Sequence, residues 1–163
     1  MNTPRPLLAL VVVPGARKGE GWLAVEFVRG RDLATALRDD PAAATALPEF
    51  LALMHERGVL HGDLNVRNVL WSHGHWTLLD LEGVRDPLHR LRSRSIADDW
   101  WVRIAGTMRD PERVRALHAR FCELVGRPRD AQARWPDVAT RALELASEYD
   151  RRLAERRARS QNG

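Results

Sequence analysis

The sequence predicts an α+β fold in about one domain, and three observations predict it. Its 163 residues match the ordinary size of one domain. Apolar residues make up 44% and charged residues 29%, which is globular composition and far from the disordered regime. Strand-like apolar runs lie in the first half of the chain, and after Pro87 the pattern is helical.

The elements follow in order. Leu7–Val13 reads as a strand stopped by Pro14 and Gly15, and the stretch from Pro14 to Gly21 carries three glycines and a proline, a turn signal. Trp22–Phe27 reads as a second strand, and the pair predicts an antiparallel hairpin. Gly30 breaks the pattern before a short helix over Asp32–Arg38. Leu47, Phe50, Leu51 and Met54 stand at helical spacing, with Gly58 as the residue after the helix end. Val59-Leu60 is then a short apolar pair, His61–Asn68 a polar stretch, and Val69–Trp71 a strand. A turn over Ser72–His75 leads to a further strand, Trp76–Leu79, ending on Asp80. One later helix is framed by Asp110 as N-cap, Pro111 at the first helical position and Gly126 past the end, with Val114, Leu117, Phe121 and Leu124 along one face. Another is expected from about Asp137, with Val138, Ala142, Leu145, Tyr149 and Leu153 in register, before an Arg-rich end from Arg151 to Gly163 that is expected to fray.

Charge and cysteine use narrow the function classes. The 26 Lys and Arg against 22 Asp and Glu leave a net charge of only +4. Lys18 is the sole lysine, and arginines do not discharge below pH ~12, so the high isoelectric point reflects arginine and does not imply a nucleic-acid partner. The lone Cys122 excludes an internal disulfide and fits a reducing compartment. The longest apolar run, Leu7–Val13, is far short of the ~20 residues of a membrane span, and no signal-peptide pattern is seen. A soluble cytoplasmic chain is expected.

The chemistry-bearing stretch is His61-Gly62-Asp63-Leu64-Asn65-Val66-Arg67-Asn68, followed twelve residues later by Asp80. Phosphoryl transfer needs a carboxylate to orient the attacking hydroxyl and further oxygen ligands to hold Mg²⁺ against the nucleotide phosphates. An Asp and an Asn five apart on one loop can project toward a common point, and a hairpin after Asn68 brings Asp80 back beside them. Hard oxygen ligands with open positions suit Mg²⁺.

The pattern H-x-D-L-x-x-x-N, then an apolar hairpin and an aspartate, resembles the catalytic loop and metal-binding segment of the protein-kinase-like superfamily. The resemblance implies a large helical lobe with a residual small-lobe hairpin and hinge: hairpin 1–27, hinge 28–31, large lobe 32–150 and Arg-rich tail 151–163. It implies Asp63 as catalytic base, Asn68 and Asp80 as metal ligands, and His61 as a prop for the loop. Val25 becomes the gatekeeper, with backbone groups of Glu26 and Val28 gripping the adenine of ATP. Gly62 in place of an arginine, and Asp80-Leu81-Glu82 in place of D-F-G, resemble small-molecule and sugar kinases. Thr3-Pro4-Arg5-Pro6-Leu7 and the His-Gly-Asp-Leu-Asn loop are most similar to the lipopolysaccharide core (Kdo/heptose) kinase family.

That family implies ATP- and Mg²⁺-dependent transfer to a sugar hydroxyl of the lipopolysaccharide inner core, with a small-molecule or lipid-linked sugar acceptor and no nucleic-acid partner. The Arg-rich tail reads either as a solvated helix end or as peripheral attraction to the anionic inner-membrane surface. An aminoglycoside- or choline-type kinase, which an acidic acceptor pocket favours, and a non-catalytic nucleotide-binding relative remain alternatives. No Gly-rich loop and no strand lysine precede the hinge. A longer natural protein, a completing partner chain or a degenerate relative each account for that, and poor activity is expected of this polypeptide alone. Asp98-Asp99-Trp100 resembles the anchor of the catalytic loop on the central large-lobe helix, against the alternative that the two acids favour a helix N-terminus. His73 and His75 are expected as exposed turn residues, Cys122 as a buried small hydrophobe, and Trp71, Trp76, Trp100 and Trp101 as core.

Overall fold

Among the described residues, strand pairing forms three small antiparallel units. The computed structural model describes residues 11–14, 21–24, 28–79, 84–85 and 93–161. Strands β1 (Val11–Pro14) and β2 (Gly21–Ala24) form the expected hairpin, with Val11 opposite Ala24 and Val13 opposite Trp22. The remainder of the two expected strands, 7–10 and 25–27, lies outside the described residues. A three-stranded sheet has the order β3 (Arg31–Asp32), β5 (Val69–Ser72), β6 (His75–Leu78). The third unit pairs β4 (Leu60–His61) with β7 (Val84–Arg85). The β5–β6 connection is a two-residue turn in which His73 and Gly74 both take positive φ, 50° and 81°, the twist that matches the flanking strands.

Helices α1 (Leu33–Asp39) and α2 (Pro41–Glu56) are both started by aspartates. Asp32 accepts from the Thr35 N–H at 2.8 Å and Asp40 from the Ala42 N–H at 3.0 Å, satisfying donors that a helix start leaves open. Asp40 also accepts from Trp71 Nε1 at 2.9 Å and from Arg31 at 2.6 Å. One carboxylate therefore ties β3 and β5 to the head of α2, and these bonds, the Trp71 one foremost, hold it below the usual aspartate range.

The second half is helical: α3 (Ser93–Met108), α4 (Pro111–Leu124) and α5 (Pro128–Gln161). Helix α4 has the expected frame, with Asp110 accepting from the Arg113 N–H at 3.1 Å, Pro111 in the first turn and Gly126 at φ 72°. Its buried face is Val114, His118, Phe121 and Cys122, whereas Leu124, expected on that face, is exposed. A histidine inside the apolar stripe hid the true register.

Helix α5 departs further from expectation. It begins nine residues before Asp137, passes through Pro136 and stays helical to Gln161 instead of fraying. Pro136 removes one backbone donor, but Trp135, Val138 and Ala142 on either side of it are all buried, and that packing carries the helix across the break. Arg152 pairs with Glu148 one turn back in the Arg-rich end. Tyr149 and Leu153, expected in the buried stripe, are exposed.

The core lies between α2 and the α3–α5 layer. Leu47, Leu51, Trp100, Trp101 and Ile104 are fully buried, with Trp71 and Trp76 nearly so, as expected for all four tryptophans. Gly106 is needed where α3 meets α5, since a Cβ there would stand 2.8 Å from the Ala142 carbonyl oxygen. Arg113 of α4 donates to the Leu37 carbonyl at 3.2 Å, placing a cation at the electronegative end of α1. Among the described residues no helix is long and apolar enough to cross a membrane.

His118 is the most perturbed base in the core. It is wedged between Trp101 and Trp135, with ring centroids at 5.6 and 5.3 Å, and its Nε2 is 3.6 Å from Cys122 Sγ. Burial pushes its pKa down to about 4, helped by Arg134 and opposed by Asp130, and pushes the buried Cys122 thiol up to about 11. The unfolded chain takes up this proton near pH 6.5 and the folded chain only near 4, so stability is full above the upper value and falls through that window. Urea unfolding at pH 6.5 and 5 is expected to show a loss on the order of 2 kcal/mol, and His118→Phe should flatten it; an identical slope in the variant would refute the assignment.

Candidate active site

The polar stretch His61–Asn68 folds as a loop between β4 and β5, and hydrogen bonds fix nearly every turn of it. The His61 ring is almost fully buried. Its Nδ1 accepts from the Asp63 backbone N–H at 3.1 Å, so the other nitrogen carries the proton. That Nε2–H then donates to the Leu79 carbonyl at 3.2 Å. The Asn68 side-chain amide donates to the Asp63 carbonyl at 2.8 Å, and the Asn68 backbone N–H to the Asn65 carbonyl at 3.1 Å. Asn65 Oδ1 accepts from the Arg67 N–H at 2.9 Å, a local turn in which an asparagine side chain replaces a backbone acceptor. The Val66 carbonyl accepts from Leu33 at 3.1 Å, docking the loop on the head of α1.

Leu79, the last described residue before Asp80, is tied to this loop by both its backbone groups. Its carbonyl takes the His61 proton, and its N–H donates to the Asn68 carbonyl at 2.8 Å. The returning strand of the β5–β6 hairpin is thus sewn to the residues that begin and end the loop.

The Asp63 carboxylate is half-exposed. One oxygen accepts from Arg103 Nη1 of α3 at 2.8 Å and the other from the Asn65 amide at 3.2 Å. Each carboxylate oxygen keeps a further lone pair for an incoming hydroxyl. Asn68 donates one amide hydrogen to the Asp63 carbonyl, and its Oδ1 has no partner among the described residues. Trp100 of α3 anchors the loop from beneath, donating from Nε1 to the His61 carbonyl at 2.8 Å.

The expected residues divide as follows. His61, Asp63 and Asn68 come together in one hydrogen-bonded loop. Asp80, Val25 and Glu26 lie outside the described residues. Val28 is half-buried, and the segment after it runs beside β5: the Arg29 carbonyl accepts from Ser72 Oγ at 2.7 Å. His73 and His75 are exposed in their turn, and among the described residues no three His, Cys, Asp or Glu side chains group as a metal cage.

Asp98 and Asp99 require a correction. Neither anchors the loop, and neither stands in the first turn of α3. Asp98 pairs with Arg134 and Asp99 with Arg141, both on α5. Burial raises the Asp98 pKa while Arg134 and Arg141 oppose it. The anchoring is done by the adjacent Trp100. Sequence reasoning missed Trp100 and Arg103 as site residues because nothing local distinguishes a tryptophan whose indole N–H reaches a distant carbonyl from one that only fills the core.

Comparison with protein-family models matches residues 23–101 to the lipopolysaccharide kinase (Kdo/WaaP) family. Over that stretch the chain is similar to this family. The matched segment of the lipopolysaccharide kinase family begins in β2 and ends at Trp101, so it holds the loop, the β5–β6 hairpin and the Trp100 anchor together. Arg103, α4 and α5 lie beyond it. No curated protein and no solved structure matches the chain.

The Trp100 bond is testable. Trp100→Phe keeps an aromatic six-membered ring and removes the indole N–H that donates to the buried His61 carbonyl, at an expected cost of about 1 kcal/mol for the hydrogen bond on top of the packing lost with the indole. Amide exchange at Asp63 should quicken in that variant by more than at Ile104, which sits in the same helix; equal acceleration would mean that Trp100 supports the core alone.

Proposed function

We propose that the loop centred on Asp63 transfers the γ-phosphoryl group of Mg²⁺-ATP to a sugar hydroxyl, most plainly one of the lipopolysaccharide inner core, whether free or lipid-linked. The observation that carries this reading is the hydrogen-bonded loop itself. It presents Asp63 and Asn68 on one rigid turn, with Leu79 stitched to both ends, inside the segment matched by the lipopolysaccharide kinase family.

Asp63 is the group that orients the acceptor. Arg103 and Asn65 hold its carboxylate from two sides, which fixes the direction of its remaining lone pairs and limits reorganisation as the hydroxyl attacks. Asn68 is suited to a hard cation by elimination. One amide N–H donates to the Asp63 carbonyl, which fixes the amide plane, and the amide oxygen is a neutral hard donor. Asp80, the residue after Leu79, would supply the anionic ligand. When bound with nucleotide, Mg²⁺ neutralises phosphate charge that would otherwise repel the hydroxyl. Glu26 and Val28 would hold adenine through their backbone, with Val25 beside them.

The experiment is turnover with Mg²⁺-ATP and a lipopolysaccharide-core sugar acceptor. Asp63→Asn should lower kcat by about 10²–10⁴-fold with nucleotide binding retained, because Asn preserves the Asn65-facing geometry and removes the charge. Asn68→Ala should weaken Mg²⁺-ATP binding, and chelation of the metal should abolish turnover. Full activity in Asp63→Asn would end this reading.

A further inference from the structure

Beside the Asp63 loop lies a groove of about 380 Å³ whose character the phosphoryl-transfer chemistry does not use. One wall is the loop itself, through Asn65 and Arg67. The other is built from the end of α3 and the exposed last turns of α5, through Thr107, Arg109, Tyr149, Arg152 and Arg156. The groove adjoins the reacting carboxylate, since Asn65 lines it while its amide bonds Asp63 Oδ2 at 3.2 Å.

Four guanidinium groups line this space, and their pairing is uneven. Arg109 is paired with Asp150 and Arg152 with Glu148. Arg67 and Arg156 have no acidic partner among the described residues. Two arginines without an acidic partner therefore line one groove from opposite walls, with Tyr149 beside them. Guanidinium forks match carboxylate and phosphate oxygens in pairs. A cationic acceptor of the aminoglycoside or choline kind would be repelled here.

Resting on the reading of Asp63 as the group that orients the acceptor, we infer that this groove is the acceptor's anion subsite. It binds a phosphate or carboxylate carried by the sugar, with Arg67 and Arg156 as the primary contacts. Arg67 is placed by the turn in which Asn65 Oδ1 accepts its backbone N–H. Arg156 is placed by the helical continuation of α5 beyond Tyr149. The exposure of Tyr149 and Leu153, which the helical stripe alone would have buried, is accounted for by their position along this groove.

The test is calorimetric titration of the full chain with glucose 6-phosphate, with glucose as the neutral control and no nucleotide present. Glucose 6-phosphate should bind, glucose should not, and added salt should weaken the binding. The double variant R67E/R156E should raise the dissociation constant by about tenfold or more, as expected for the loss of charge-assisted bonds. R115E/R120E removes the same charge from α4, outside the groove, and should change it little. R67Q/R156Q provides a gentler version should the reversal disturb folding. Equal weakening by both charge-reversal pairs, or no binding of the sugar phosphate at all, would overturn the subsite. So would binding to phosphatidylglycerol vesicles without binding to glucose 6-phosphate, which would give the arginines to a membrane surface. Failure of the Asp63 reading shows separately, as undiminished phosphoryl transfer in Asp63→Asn.

Discussion

The arrangement of the site depends on the protonation pattern of one buried imidazole. Because His61 Nδ1 accepts from the Asp63 N–H, its Nε2 must donate, and the acceptor it finds is the carbonyl just before Asp80. A ring with one donor and one acceptor can join two backbone segments that have no sequence proximity. Burial makes the junction strict, since either nitrogen left unmet would cost the desolvation of a polar group. The loop, the returning hairpin strand and, through the His61 carbonyl, helix α3 all meet at this residue.

Packing around that junction explains why the site sits where α3 crosses the loop. Trp100 reaches the loop from a helix that is itself clamped to α5 by two Asp–Arg pairs and by the close approach at Gly106. These are partly exposed pairs, modest in energy individually, and their contribution is to fix the rotation of α3. With that rotation set, Trp100 turns to the His61 carbonyl and Arg103, three residues on, turns to the Asp63 carboxylate. The family-matched segment ends between these two residues, so the loop is supported partly by helices outside it. The Arg-lined groove has the same divided construction, with one wall from the loop and one from α5.

The departures from sequence expectation share a cause. The apolar register put the start of α5 at about Asp137 and the run of arginines put its end early, yet burial of Trp135 and Val138 outweighs the donor missing at Pro136, and the Glu148–Arg152 pair supports the last turns. Tyr149 and Leu153 continued an apolar stripe by spacing alone, but a stripe is buried only where another element lies over it. Asp98 and Asp99 had the right place in the chain to anchor the loop, and their partners on α5, some 40 residues away in sequence, turned them elsewhere.

Local chemistry was legible from the letters. Asp110, Pro111 and Gly126 bounded α4, the strands on either side of Ser72–His75 formed their hairpin, and His61, Asp63 and Asn68 declared a loop of particular chemistry, because caps, turns and short motifs act over a few residues. What only the tertiary structure decided is which distant groups complete that loop. Trp100 beneath His61, Arg103 on Asp63, and Arg156 across the groove from Arg67 are long-range pairings. They depend on the rotation and length of helices, and those are set by packing rather than by any residue's neighbours in sequence.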